Sequence, residues 1–204
     1  MMATSDGVLE TLERRSATVF LVAGGLLAVF AVNTGLRTFV GQSSPLVQSL
    51  VAPVGFLVGV LGLLGLYPAV ANRTPTSARA AGVLAGVTAA YWIVIVAGSL
   101  GDIVGVLPAS EELFPLVFFF GVYVAMLLTY AVFGTVALRA GVPSRTVGLL
   151  VLGPAAMFLL LMARVAPNFL IDAGHALFHL GIGIALRAES VPTERAGPAP
   201  DSTA

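Results

Sequence analysis

Cysteine and lysine are both missing from this chain, and charge of either sign is scarce. Without cysteine there is no disulfide, no iron–sulfur cluster, no thiolate metal site and no thiol nucleophile. Without lysine no Schiff base can form, which rules out a retinal-bearing rhodopsin. All ten basic residues are arginine and they balance ten acidic ones. The net charge is therefore zero, and no basic patch marks a nucleic-acid partner. Histidine occurs twice, at His175 and His179, and tryptophan once, at Trp92.

The shortage of charge is the most informative of these. Charged residues make up 10% of the chain, against about a quarter in ordinary soluble domains. Hydrophobic residues make up 58% and the mean hydropathy is +1.00. Such a chain has lipid as its main solvent. The expected fold is all-α: a polytopic bundle of six transmembrane helices forming one domain over residues 1–187. The spans are expected at about 17–33, 46–71, 80–99, 113–138, 146–163 and 168–187. Lengths of roughly 17 to 26 residues suit a hydrocarbon core of about 30 Å. Arg14 and Arg15 before an apolar run also describe a secretory signal peptide. The run continues past the small residues Ala28 to Ala31, so it is expected to be retained as the first span.

Between the spans the chain is polar or glycine-punctuated. Residues 34–48, 72–79, 98–112, 139–145 and 164–167 are expected as connections. Ser110 followed by Glu111 and Glu112 has the composition of a helix start. Pro154 inside the fifth span is a kink signal, and Pro167 suits a first helical position. The proline-rich segment 188–204 reads as a disordered tail. Arg73 and Arg139 stand in similar short turns, so spans two–three and four–five are either duplicated hairpins or share turn chemistry.

The arginines orient the bundle. With the spans as set out, Arg14, Arg15, Arg73, Arg79, Arg139, Arg145 and Arg187 fall on one side; Arg37 and Arg164 fall on the other. Asp102, Glu111 and Glu112 share that second side. The positive-inside rule then puts both termini in the cytoplasm of a cell whose plasma membrane the chain crosses.

Two faces stand out. On the second span Gly55, Gly59 and Gly62 form a small-residue stripe, suited to close helix packing or to a homo-oligomer contact. On the sixth span Asn168, Asp172, His175, His179 and Gly183 project within roughly an 80° arc. An ionisable group inside a membrane is costly, which marks this polar stripe as the place to look for function. Asp172 calls for a partner, and Arg37 and Arg164 are the candidates. His175 and His179, spaced i and i+4, could converge on one ion with Asp172 as third ligand. A haem shared between two protomers is a further option. The alternatives are an interhelical hydrogen-bond network, in which the histidines bond Tyr, Thr or backbone groups, a proton or ion path, and a lipid or small-molecule pocket.

The run Asp172-x-x-His175-x-x-x-His179-Leu180-x-x-Gly183 resembles a motif of small prokaryotic multi-pass membrane proteins, in which N-x-x-H-x-x-x-H-L-x-x-G sits on a membrane helix. The match covers about twelve residues, with Asp172 in place of the asparagine, and those proteins are shorter, with about four spans. The resemblance implies that the histidine pair is a family feature; it implies no activity. The HxxxH spacing is also similar to that of membrane hydrolases of the ceramidase and adiponectin-receptor kind. Those require a further histidine, which this chain lacks. The expected function is thus a non-enzymatic membrane protein: a small transporter, a channel-like protein or an accessory subunit. The alternatives are a metal- or haem-dependent enzyme or electron carrier on His175 and His179, and a purely structural scaffold.

Overall fold

The computed structural model describes residues 3–108 and 114–190. The expected helix start at Ser110–Glu112 and most of the expected tail lie outside the described residues. Among those described, the chain is helical throughout. Helix α1 covers Ala3–Val40, α2 Ala52–Ala71, α3 Pro75–Ile103, α4 Leu116–Ala140, α5 Arg145–Ala163 and α6 Asn168–Ser190. A single π-helical turn, Val47–Val51, runs directly into α2. Six helices are long and apolar enough to cross a membrane.

Several helices run further than their polar residues suggest. The first was expected to end near residue 33, with a loop to 48, but α1 continues to Val40. The reason is local. Thr34 Oγ1 donates to Phe30 O and Thr38 Oγ1 to Thr34 O, so both hydroxyls are satisfied within the helix. The stop comes at Gly41, which adopts φ 71°, a left-handed conformation that glycine enters without steric cost. The third span starts at Pro75 rather than residue 80, because proline is preorganised for the first helical turn. It ends after Ile103, where Gly105 takes φ 72°. The fourth starts at Leu116, three residues later than expected, behind Pro115. Pro167 stands just before α6, its carbonyl accepting from Leu170 N and Ile171 N. The Ser144 side chain caps α5 by accepting from Val147 N at 3.2 Å.

Each helix packs on its neighbours in sequence, and α6 returns to pack on α1. The six thus form a closed ring with alternating direction. Connections 72–74 and 141–144 share one end with Arg73, Arg139 and Arg145. Connections 41–46 and 164–167 share the other, with residues 104–108 that follow α3. The core runs down the middle: Phe20, Leu63, Tyr130, Phe133, Phe158 and Ile182 are fully or almost fully buried. The outer surface is also apolar, with Val83, Val87, Leu128, Leu149 and Ile184 exposed. A helix apolar on all sides belongs in a bilayer.

Small residues set the close approaches. Gly183 on α6 faces Leu21 and the Ala17 carbonyl of α1 so closely that a Cβ would lie 2.7 and 2.9 Å from them. The α2 stripe is used in the same way. Gly55 lies against Leu26 and Leu27, Gly59 against His179 and Tyr130, and Gly62 against Phe20. All three glycines are buried. The face considered for a homo-oligomer is therefore covered by the chain's own α1, α4 and α6. Between α3 and α4 the hydroxyls of Thr88 and Thr129 form a buried hydrogen bond of 2.8 Å.

Candidate functional site

The polar stripe of α6 descends from one end of the bundle into its centre. Asn168 is exposed, Asp172 is half-buried, His175 is 1% exposed and His179 is fully buried. Its upper part lines a cleft of about 740 Å³ that opens at the end holding connections 41–46 and 164–167. The stripe divides at the floor of this cleft. Asn168, Asp172 and His175 line it; His179 and Gly183 lie beyond it.

The two histidines differ in kind. His179 Nδ1 lies 2.7 Å from the carbonyl of His175, which can only accept. Nδ1 therefore carries a proton, and the neutral ring's Nε2 accepts from the Tyr130 hydroxyl at 2.7 Å. Both nitrogens are engaged, and the pair ties α6 to α4 under the tight passage of Gly59. His179 is thus part of an interhelical network. His175 has neither nitrogen bonded among the described residues, although both are buried. Its ring is held by aromatic neighbours: Phe158 at 4.3 Å between centroids, and Phe56 edge-on at 5.3 Å. Trp92 stacks on Phe56 at 5.1 Å, and its Nε1 is likewise buried without a partner among the described residues. His175, Trp92, Phe56 and Phe158 together line the cleft. Buried polar groups are normally hydrogen-bonded, and these three nitrogens are buried without a partner among the described residues.

Above them the wall becomes polar. Thr34 of α1 stands beside the Asp172 carboxyl, and Tyr123 of α4 neighbours the same group. Asn33 Oδ1 accepts from Ser44 N at 2.7 Å and so fastens the connection 41–46 over α1. Asp102, Ser99 and Arg37 complete the rim.

Neither proposed partner reaches Asp172. Arg37 lines the same cleft, but its guanidinium donates to Gln48 Oε1 at 3.4 Å. Arg164 follows the last turn of α5 with φ 51° and lines a separate hollow behind Tyr123, Leu161 and Asn168. Thr34 supplies the neighbour instead, made available by the extra helical turns of α1. Nor do His175, His179 and Asp172 converge as metal ligands. Among the described residues no three His, Cys, Asp or Glu side chains are placed to hold a metal ion. Binding one at His179 would require breaking its bond to Tyr130. That leaves one free imidazole, which is short of the three or four donors a zinc site needs.

Three features of the site were not singled out from the sequence: the aromatic floor, Thr34 and Tyr130. Trp92 lies on the cleft wall and is 5% exposed. Tyr91 packs edge-on to Phe118 at 5.3 Å. No family model, no curated protein and no solved structure matches the chain.

Proposed function

We propose that this is a non-enzymatic, multi-pass protein of the plasma membrane that receives a small polar solute in the α6 cleft, as a small transporter or channel-like protein. The observation that carries this reading is His175: an imidazole 1% exposed, unbonded at both nitrogens, on the wall of a 740 Å³ cleft. A cleft of this size, in which aromatic rings stand beside many polar side chains, falls in the range of small-molecule sites.

The arginine distribution orients the site. Seven arginines at the end opposite the cleft mouth support a cytoplasmic location for that end by the positive-inside rule. The cleft then opens to the outer face, and the Tyr130–His179 bond under Gly59 closes its inner end.

Osmotic swelling of reconstituted vesicles tests the proposal. Vesicles are shrunk in turn by impermeant sucrose and by glycerol, urea, glycine or choline chloride. At least one of the four small solutes should re-enter faster than in protein-free vesicles, with Asp172→Asn slowing it. Traces indistinguishable from protein-free vesicles for all four would remove the transport reading.

A further inference from the structure

We infer that the solute of this cleft is an organic cation, an amine or quaternary ammonium compound held between Asp172 and the aromatic floor. The inference rests on reading the cleft as a solute site and goes on to name its chemistry. Three independent observations converge on it.

The first is charge. Asp172 and Asp102 line the cleft, against Arg37 at the rim. Arg37 is already engaged by Gln48. The group standing beside the Asp172 carboxyl is neutral Thr34, and Tyr123 lines the same cleft. A carboxylate half-buried in a membrane protein requires a counter-charge or water, and among the described residues the cation lining this cleft, Arg37, is directed to Gln48.

The second is the floor. Phe56, Trp92 and Phe158 form a contiguous aromatic surface, with Phe56 and Trp92 stacked at 5.1 Å and Phe56 and Phe158 at 5.8 Å between centroids. Tyr123 continues it at 6.1 Å from Phe158. Ring faces attract cations through their quadrupole, most strongly tryptophan, and the attraction grows when water is excluded. The third is His175. It lines the same wall one helical turn below Asp172, with both nitrogens buried and without a partner among the described residues. An anion would meet Asp172 and the negative ring faces. A neutral apolar guest would leave both Asp172 and His175 unmatched.

Trp92 is the sole tryptophan of the chain, so its emission reports directly on the floor. Purified protein in nanodiscs is titrated with choline, tetraethylammonium and benzyltrimethylammonium. Choline's uncharged isostere 3,3-dimethyl-1-butanol and the anion 3,3-dimethylbutanoate serve as comparison. At least one cation should shift or quench the emission saturably, with the two isosteres weaker by about tenfold or more. Asp172→Asn should lower the cation's affinity about tenfold and leave that of the uncharged isostere unchanged. If the alcohol or the anion binds as well as the cations, the cation assignment falls and the solute site stands. Saturable cation binding that Asp172→Asn does not weaken also overturns the assignment. If none of the five compounds changes the emission, both the assignment and the solute-site reading fall. The ranking on wild-type protein decides the matter even if the variant does not fold.

Discussion

At the scale of single residues, the histidines show how one spacing can carry two roles. They are four residues apart on one face of α6, yet His179 is bonded at both nitrogens and His175 at neither. What separates them is their surroundings on other helices: Tyr130 on α4 reaches one, and the rings of Phe56 and Phe158 enclose the other. Gly59 guards the first arrangement, since a Cβ there would lie 2.6 Å from His179 Nε2 and 2.8 Å from the Tyr130 hydroxyl. Gly59→Ala should therefore destabilise the protein by about 1–3 kcal/mol, as overpacking does in a tight core, seen as a lower melting temperature in detergent. Gly86→Ala is the control: nothing lies within 4 Å of a Cβ there, so helix propensity should leave stability unchanged or slightly raised. Equal melting temperatures for the two variants would contradict the role given to Gly59. The sequence showed that the stripe exists and which residues form it. It could not show which histidine is free, because that depends on Tyr130, Phe56 and Phe158, brought in from three other helices.

At the scale of helices, short polar devices fix an apolar bundle. The Thr88–Thr129 bond joins α3 to α4 in the buried interior. Thr88→Val and Thr129→Val should each destabilise, and a double-mutant cycle should give a coupling of about 0.6 kcal/mol, typical of hydrogen bonds between membrane helices. A coupling of zero would mean that packing alone holds that seam. Ser144→Ala should cost about 1 kcal/mol by uncapping α5, read from the same melts. Hydropathy located all six helices because a hydrocarbon core demands long apolar runs. It misplaced their ends by up to fourteen residues, the largest difference being the start of α1 at Ala3. Thr34, Arg37 and Thr38 looked like loop, whereas hydroxyl bonds to the preceding turn let α1 continue to Gly41. That extension is what sets Thr34 opposite Asp172, and it was invisible to a count of polar residues.

At the scale of the whole molecule, six helices close into a ring with a cleft at one end and a plug of Tyr130, His179 and Gly59 near its centre. The arginine count is legible in the sequence and gives the orientation proposed here; the cleft is not, because its walls come from all six helices. The natural absence of cysteine makes thiol labelling clean. In intact cells Ser43→Cys should react with a membrane-impermeant thiosulfonate and Ser77→Cys should not; the reverse pattern would invert the proposed topology. The measurement that bears most directly on the central claim is the same labelling at Asp172→Cys, beside Thr129→Cys in the closed interior. Modification of Asp172→Cys from the outer face, with Thr129→Cys unreactive from either side, is the expected result: an aqueous cleft that reaches α6 and ends above His179. An Asp172→Cys thiol as unreactive as Thr129→Cys, or one modified only from the cytoplasmic face, would contradict it.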